Sequence, residues 1–539
     1  MTRNRFALVL VCAALSIAAV GQLAAQSDGP EVRLSLDQCL RTALANNLDL
    51  VLARMDPAIS EEAVTQQAAA FDGSVNAIGF GNGFETEPSD EFTSAGIGRT
   101  LGGRGQYLQD FQFGGDLDVQ LTSSRRTGAG SIFFLPPSND VLRDMNGNII
   151  AQGPGLNEEF YTTSLDLTFN VPLLRGLGIE PTTERLILAK GDLETSREEL
   201  RRQAELTMEE VEGAYWNLAA AIRALEVSRQ SLERAKDLLA LNEKKVEVGT
   251  LAPIEITQAK AGVADVQEDV IVAEETVENA EDELLRLLAV DAGSPMWDQS
   301  VIPADRPEFA PRTFDLDVVI QEALRRRPEM ATARQELRNR ELSERVSKNS
   351  VKHGLDLSVT LTPLGNNINI EDFDSSAGNT PSQVASPAVG SIGDSFSEAA
   401  EGDFFTWQGS LVYSIPIRNR AAKAGYRIAQ LNRQKADVGL RNQEQTIRVE
   451  VRRAVRAVDS GVLRVNAAQA NVTLQREKLD AEQKKFQNGM STSFQVLEFQ
   501  TDLSEAELSR IRALLDYFKS LAALERVKGT LLGARGLSL

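Results

Sequence analysis

The sequence predicts an α+β membrane protein in which one helix–strand–strand–helix module occurs twice. Residues 244–249 read Lys-Lys-Val-Glu-Val-Gly, and residues 484–489 read Lys-Lys-Phe-Gln-Asn-Gly. Both copies lie between two long segments in which apolar residues follow heptad spacing. An alternating strand that ends near a proline, Pro172 or Pro416, precedes the long segments in each half. The separation of the copies is far greater than a solenoid repeat of about 20–50 residues, so the pattern indicates duplication of one large module.

Residues 1–25 have the three parts of a secretory signal. Arg3 and Arg5 form a basic start, residues 6–20 are almost wholly apolar, and small residues precede the polar Gln26. A transmembrane anchor is the weaker alternative, because the apolar run is shorter than the roughly 20 residues that span a bilayer. We therefore expect the chain to be exported.

The chain is strongly acidic, with a formal net charge of −20. Removal of the signal segment with its two arginines would leave −22. This charge argues against nucleic acid as a partner. It is compatible with a solvated scaffold and equally with a lumen that carries cations. Cys39 would be the single cysteine of the exported chain, which excludes an intramolecular disulfide.

Heptad patterns predict two long helix hairpins, at residues 183–290 and 420–532. Within residues 256–290 the apolar positions alternate in steps of three and four, the spacing that packs knobs into holes. Neither 183–248 nor 421–487 contains a proline, and at about 1.5 Å per residue each predicts a helix roughly 100 Å long. From the heptads alone, a generic coiled coil is the simpler interpretation.

Period-two alternation predicts four barrel strands, near residues 73–84, 161–172, 355–363 and 405–417. Segments of about 9–11 residues with one apolar and one polar face suit transmembrane strands, although a soluble sandwich shows the same alternation. Four strands cannot close a barrel, and open edges are not tolerated in lipid, so the chain is expected to oligomerise. A fifth run, Phe111–Thr122, lies in a Gly/Ser-rich insertion. It is interpreted as an extracellular hairpin or loop; the alternative is that it, rather than 73–84, takes a place in the barrel.

These elements divide the chain into two repeats with short flanking segments. The predicted parts are a signal peptide at 1–25, a first repeat at 26–313 that ends in the Pro-rich linker 291–313, a second repeat at 314–532, and a C-terminal tail at 533–539.

Three motifs in this order resemble the TolC-type outer membrane efflux family. They are Leu-Asp-Gln-Cys-Leu-Arg-Thr-Ala-Leu-Ala-Asn-Asn at 36–47, Val-Pro-Leu-Leu-Arg-Gly-Leu-Gly at 171–178 and Val-Gly-Thr at 248–250. The resemblance covers about residues 34–532. It implies a homotrimer in which four strands per chain form a 12-stranded β-barrel, continued by a long periplasmic α-helical coiled-coil barrel.

The same resemblance implies that the protein is an export duct in the outer membrane and that it has several partners. These would be outer membrane lipid, a periplasmic adaptor (membrane fusion protein) and an inner-membrane RND, ABC or MFS transporter. Efflux of small molecules and type I protein secretion use similar ducts, and the sequence does not choose between them. Neither a cofactor nor catalysis is implied.

The two hairpin tips are the first candidate sites. Gly249 and Gly489 suit the left-handed residue that commonly follows a helix end. By resemblance, the tips would form the grooves that receive adaptor hairpins. The residues concerned are Val248, Gly249, Thr250 and Leu251 in the first tip, and Asn488, Gly489, Met490 and Ser491 in the second.

A pore constriction is the second candidate site, again by resemblance. Family members often carry acidic residues six and nine positions after the second tip glycine, and Gln495 and Glu498 occupy those positions here. Threefold symmetry would gather three Glu498 carboxylates into a ring that attracts cations. The alternative is that Glu498 lies on an ordinary solvated helix face. An apolar gate formed by Phe486 and Phe499 on the same hairpin is a further alternative to the ring.

One departure from the family concerns the closure of the channel. Some members carry an arginine latch where this chain has Ser491. A salt bridge from that position to Glu255 is therefore not expected, and closure must rest on other contacts.

Other function classes fit the sequence poorly. His353 is the only histidine, which leaves no basis for a Ser-His-Asp triad or a histidine-based metal site. The alternative to a duct is a non-membrane periplasmic coiled-coil adaptor or scaffold. Adaptors usually combine a single hairpin with a lipoyl-like β domain, whereas this sequence predicts two hairpins and no such domain.

Overall fold

A computed structural model describes most of the chain. The described residues are 31–86, 96–129, 141–143, 149–152, 158–291, 293–305, 308–367 and 391–539. The predicted signal segment lies outside them. The chain divides into two compact units, one comprising Met1–Ser60, Asp192–Leu337 and Ala436–Leu539, the other Glu61–Gly191 and Arg338–Lys435.

The elements follow a similar order in the two halves of the chain. The first half contains β1 (Glu31–Leu34), α1 (Leu36–Asn46), α2 (Leu48–Ala68), β2 (Ser74–Thr86), β3 (Gly96–Asp110), β4 (Asp116–Ala129), β5 (Val141–Arg143), β6 (Ile149–Gln152), β7 (Glu158–Pro172), α3 (Ile179–Glu247), α4 (Ile254–Leu288) and β8 (Ser300–Pro303). The second half contains α5 (Leu316–Arg326), α6 (Pro328–Ser350), β9 (Gly354–Asn367), α7 (Ile392–Glu401), β10 (Phe405–Ser414), α8 (Arg420–Gln487), α9 (Ser493–Lys528) and α10 (Leu531–Ala534).

The long helices match the heptad prediction closely. Helices α3 and α8 have 69 and 68 residues, and their partners α4 and α9 have 35 and 36. The heptad positions of α8 are buried, including Val451, Val458, Val465 and Val472. These apolar stripes supply most of the stabilisation, because intrinsic helix propensity alone does not hold helices of this length together. No helix in the described part of the chain is long and apolar enough to cross a bilayer.

A polar connection between short segments lies in the helical unit. Strand β1 pairs in parallel with β8. The buried Tyr215 donates its hydroxyl hydrogen bond to the Asp305 carboxylate at 2.8 Å, and the Leu36 amide donates to the same carboxylate at 2.7 Å. The neighbouring Trp216 stacks on Phe518 with 4.7 Å between ring centroids. These bonds tie the start of the described chain to the segment that follows β8.

The second unit is built on one antiparallel sheet of six strands, in the order β10-β9-β7-β4-β3-β2. Strands β2, β7, β9 and β10 overlap the four predicted segments, but β3 and β4 are additional. The prediction of four strands per chain is therefore wrong. Residues 116–122 of the run Phe111–Thr122 belong to a full sheet strand, β4, rather than to a peripheral loop.

Glycine explains why β3 was not predicted. Five of its fifteen residues are glycine, a composition typical of a loop. In the structure, a Cβ atom at Gly102 would lie 2.6 Å from the Phe80 ring and 2.7 Å from the Ser123 carbonyl oxygen. The glycine is therefore required by packing between neighbouring strands.

The sheet has one largely apolar face and one largely polar face. Paired residues on neighbouring strands lie on the same side of a sheet, and this side alternates along each strand. The apolar face carries Leu101, Tyr107, Leu117, Val119, Leu121, Leu165, Leu167, Phe169, Leu357, Val359, Leu361, Trp407, Leu411 and Tyr413. The polar face carries Gln106, Asp118, Gln120, Asp166, Thr168, Thr360, Thr362, Gln408 and Ser410. Alternation is weakest on the edge strand β2, where Ile78 and Phe80 lie on the polar side.

Helix α7 packs on the sheet beside β7 and β9. The Ser395 and Thr163 hydroxyl oxygens are 2.8 Å apart, and Ser395 is fully buried. Gly365 is required beneath the helix, because a Cβ there would lie 1.8 Å from the Ser395 carbonyl oxygen.

Candidate functional site at the hairpin tips

The two hairpin tips have the same backbone geometry. In the first, the Gly249 amide donates to the Val246 carbonyl at 2.9 Å and the Thr250 amide donates to the Lys245 carbonyl at 2.8 Å. Both bonds are those of a Schellman helix end. The glycine has a φ of 75° and open space around its Cα, so backbone conformation alone requires glycine here.

The second tip repeats this pattern residue for residue. The Gly489 amide donates to the Phe486 carbonyl at 3.2 Å, and the Met490 amide donates to the Lys485 carbonyl at 2.9 Å. Gly489 also has a φ of 75°. The side chain of Asn488 donates to the Lys484 carbonyl at 2.8 Å and closes the last turn.

Both tips present apolar side chains to solvent. Val248 and Met490 are each 71 % exposed. Thr250 is exposed, whereas Leu251 and Ser491 are half-buried. Each tip therefore offers a rigid glycine turn with one prominent apolar side chain beside it.

Lys245 links the first tip to the second hairpin. Its Nζ donates to the Phe486 carbonyl at 2.8 Å and lies 3.8 Å from the centroid of the Phe486 ring. The corresponding residue of the second hairpin, Lys485, pairs instead with Glu482 on its own helix at 2.9 Å. The two equivalent lysines thus make different contacts: Lys245 bridges the two hairpins, whereas Lys485 forms an ion pair within its own helix.

Glu255 and Ser493 form a second link between the hairpins. The Ser493 hydroxyl donates to the Glu255 carboxylate, and Ser493 is fully buried. This hydrogen bond joins Glu255 to the second hairpin. Beside it, the Ser491 hydroxyl donates to Glu482; this bond, together with Lys485, holds the pKa of the Glu482 carboxyl below its ordinary value.

The predicted constriction residues divide into exposed and buried groups. Glu498 and Gln495 are exposed, and Gln495 lies 2.9 Å from the Ser491 hydroxyl. Phe486 is only 2 % exposed and packs in a cluster with residues of α3, α8 and α9, against which the half-buried Phe499 also packs. The structure therefore places Phe486 in the core of the hairpin pair and corrects its assignment to an apolar gate.

Sequence reasoning missed Lys245, Glu482 and Ser493 as functional candidates. The duplicated Lys-Lys pair was available as a signal, but it indicated only repetition. Which lysine crosses to the other hairpin depends on helix packing. The serine carries no local pattern, since a buried hydroxyl near a helix start commonly acts only as a cap.

The only histidine of the sequence, His353, lies in the unit that contains the six-stranded sheet. His353 Nδ1 lies 2.7 Å from the Tyr413 hydroxyl at the end of β10, where both side chains are exposed. Within the described residues, no cluster of His, Cys, Asp and Glu could hold a metal ion.

Comparison with known proteins identifies one family whose model matches this chain. A family model described as outer membrane efflux protein matches residues 157–290 and 374–530, more than half of the chain. Sequence comparison with curated proteins gives no match.

Several solved outer membrane channels share the fold at low sequence identity. CmeC of Campylobacter jejuni is 16 % identical with a TM-score of 0.59, and the alignment covers 92 % of this chain and 86 % of CmeC. VceC of Vibrio cholerae is 14 % identical with a TM-score of 0.59, covering 92 % and 96 %. The open-state MtrE channel of Neisseria gonorrhoeae is 15 % identical with a TM-score of 0.55, covering 92 % and 89 %.

Proposed function

The chain belongs to the outer membrane efflux protein family, and from that premise we propose that three copies of it assemble into one exit duct. The protein is an outer membrane channel with a large periplasmic portion, through which an efflux system releases its cargo. Its family is one of channels rather than enzymes.

The amphipathic sheet with two unpaired edges is the observation that carries the proposed assembly. Among the described strands, β10 and β2 each have a neighbour on one side only. A sheet in lipid must satisfy every backbone donor and acceptor, so its edges must pair with other strands. Copies of the same chain supply such edges, and a cyclic homotrimer would close them.

The two hairpin tips would receive the periplasmic adaptor. Val248, Gly249, Thr250 and Leu251 form one docking surface, and Asn488, Gly489, Met490 and Ser491 form the other. Each tip combines a turn fixed by two backbone hydrogen bonds with an exposed apolar side chain. A rigid turn loses little conformational entropy on binding, and an exposed apolar side chain gains by being buried.

An inner-membrane transporter of the RND, ABC or MFS class would deliver cargo through that adaptor. Small molecules and secreted proteins both remain compatible with this role. We assign the choice of cargo largely to the pump, because efflux and secretion systems share similar ducts.

Glu498, with Gln495 one turn before it, would form the narrow part of the duct. Both side chains are exposed on α9. Three copies around a threefold axis would bring three carboxylates together and favour cations. In each chain, the links from Lys245 to Phe486 and from Ser493 to Glu255 would hold the hairpins in the closed arrangement.

A periplasmic adaptor or scaffold is the disfavoured alternative. It would require no amphipathic sheet, yet the sheet presents a continuous band of exposed apolar residues that includes Leu101, Trp407 and Leu411. Such a band is costly in water and stable against lipid.

Membrane fractionation followed by mass measurement tests the proposed assembly. We expect the protein in the outer membrane fraction, released only by detergent, with a detergent-corrected protein mass of three chains. Recovery in the soluble periplasm would contradict the proposal of a membrane duct. A membrane-bound species of a different mass would contradict only the proposal of a trimer.

A further inference from the structure

We propose that the β3–β4 hairpin is part of the membrane wall, so that three chains close an 18-stranded barrel rather than a 12-stranded one. The inference rests on the proposed trimer for the total, but the six strands per chain stand on the sheet itself. Its consequence is a wide exit in the outer membrane.

Pairing of β3 and β4 extends along their whole lengths. Strand β3 pairs with β2 from Gly96 to Leu108, and β4 pairs with β7 from Asp116 to Gly128. Strands of 15 and 14 residues exceed the roughly 9–11 residues that a tilted transmembrane strand needs. The hairpin therefore separates β2 from β7 completely and cannot be an appendage above the sheet.

The faces of the inserted strand β4 continue those of β7. Leu117, Val119 and Leu121 lie opposite Phe169, Leu167 and Leu165 in the register of the two strands. On the other face, Asn170 donates to the Asp116 carboxylate at 2.8 Å. Strand β4 thus presents the alternating apolar and polar pattern of a barrel wall.

Strand β3 joins the same pattern through its polar side. Gln106 donates to both carboxylate oxygens of Asp118, at 2.9 and 3.0 Å. On the opposite face, Tyr107 lies opposite Val119. Aromatic residues commonly mark the edge of the apolar band in outer membrane barrels.

The turn between β3 and β4 lies at the end of the sheet from which the long helix α3 departs. The Gly178 amide donates to the Phe113 carbonyl at 3.1 Å, just before α3 begins. Gly114 has a φ of 100°, and a Cβ there would lie 2.7 Å from the Gly176 carbonyl oxygen. Phe111 stacks on Phe113 with 5.3 Å between ring centroids. The hairpin therefore crosses the sheet from end to end and turns at the periplasmic side.

The six strands also satisfy the geometry of closure. All neighbours are antiparallel, so the two edge strands β10 and β2 run in opposite directions. The β10 edge of one copy can therefore meet the β2 edge of the next as an ordinary antiparallel pair. An even total number of strands is the rule for bacterial outer membrane barrels.

The strand number sets the bore of the barrel. With strands about 4.8 Å apart and tilted by about 40°, 12 strands give a backbone diameter of about 24 Å and 18 strands about 36 Å. Barrels of 16–18 strands enclose an aqueous channel. The exit would thus be about 1.5 times wider than in a 12-stranded duct, and the membrane segment would not limit the size of the cargo.

Matched cysteine variants test whether the hairpin lies in the wall. In Gln120→Cys the thiol would face the lumen, and in Leu121→Cys it would face lipid. A membrane-impermeant maleimide is applied to the protein in outer membrane vesicles. The natural Cys39 does not interfere, because burial raises the pKa of its thiol to about 12. We expect labelling of Gln120→Cys to exceed that of Leu121→Cys clearly, whereas equal labelling of the two would overturn the proposal.

Electron cryomicroscopy of the detergent-extracted assembly, with its mass measured in parallel, gives the strand number directly. Three chains with 18 strands are expected. Three chains with 12 strands would overturn the inference while leaving the trimer intact. A mass other than three chains would remove the trimer, and the number of strands per chain would still decide the place of the hairpin.

Discussion

At the residue scale, Glu205 is a carboxyl group that the helical unit buries at a cost. The residue is 3 % exposed, and one of its carboxylate oxygens has no hydrogen-bond partner within the described residues. The nearest cation is Arg201, whose Nε lies 3.6 Å from the carboxylate. Burial outweighs this attraction and raises the pKa of Glu205 from 4.5 to about 7.

The raised pKa predicts a pH-dependent effect of Glu205→Gln. A folded pKa above the unfolded one contributes stability that is present below about pH 4.5 and is lost as the pH rises through about 7. Between pH 5 and pH 8, we expect the free energy of unfolding of the variant to rise relative to that of the wild type by roughly 2 kcal/mol. This change corresponds to a relative shift of roughly 2–4 °C in Tm. Circular dichroism of the helices in detergent measures it.

An exposed glutamate on the same helix provides the control. Glu199→Gln removes a surface carboxylate that pairs with Arg202, and surface pairs contribute little. Its Tm difference from the wild type should change little with pH. If the Tm difference between Glu205→Gln and the wild type is equally independent of pH, burial does not raise the pKa of Glu205.

Glu498 is the residue on which the predicted ring depends. Its exposure on α9 is the structural condition for a lumen-facing charge. In Glu498→Gln we expect the cation-over-anion permeability ratio to fall several-fold, because the ring loses all three negative charges. Reversal potentials in a salt gradient measure the ratio.

Glu505→Gln makes the same chemical change two turns further along α9, where Glu505 is also exposed. It should leave the ratio much closer to that of the wild type. Equal effects of the two substitutions would mean that net charge, rather than a ring at Glu498, sets selectivity.

At the element scale, the tip glycines should tolerate alanine sterically but not conformationally. Alanine at Gly249 meets no atom within 4 Å, yet it must adopt a φ of 75°. This left-handed conformation costs alanine about 1 kcal/mol. The turn should therefore open more often, and amide exchange at Thr250 should become about fivefold faster. Hydrogen exchange with mass spectrometry measures this change.

Gly439→Ala is the matched control of opposite sign. Gly439 is exposed within α8 and also has open space around its Cα. Alanine should stabilise the helix there by about 1 kcal/mol. Unchanged exchange at Thr250 in Gly249→Ala would show that the turn does not depend on the left-handed residue.

The link between the two hairpins predicts a gating effect of Lys245→Met. The substitution removes the hydrogen bond to the Phe486 carbonyl and the contact with its ring. A loss of about 1 kcal/mol from the closed arrangement should raise the open probability about fivefold. Single-channel recording measures it, with Lys244→Met as the control, because Lys244 is exposed beside it. Equal behaviour of the two variants would remove Lys245 from the gate.

The sequence was informative where one element alone sets the pattern. Heptads predicted α3 and α8 to within a few residues, and the duplicated glycines marked both helix ends. The sequence did not predict strand β3, because its glycines are required by contacts with neighbouring strands, such as that of Gly102 with Phe80. The burial of Phe486 and the reach of Lys245 depend likewise on how two distant hairpins pack.

At the scale of the whole molecule, the two halves carry similar elements but differ in strand number and in the contacts of their tips. In the first half, two extra strands widen the sheet, and its tip carries the lysine that reaches across to the other hairpin. In the second half, the tip is followed by the exposed Glu498 and by the buried Ser493 that bonds to Glu255. The proposed docking and gating roles therefore depend on residues that differ between the two halves.

The assignment of the protein as an outer membrane efflux channel is tested most directly by recording from the purified protein in a planar lipid bilayer. We expect discrete conductance steps that favour cations and that come from the trimeric species. A purified trimer that inserts into the bilayer without conducting, or a protein that never inserts, would contradict the account.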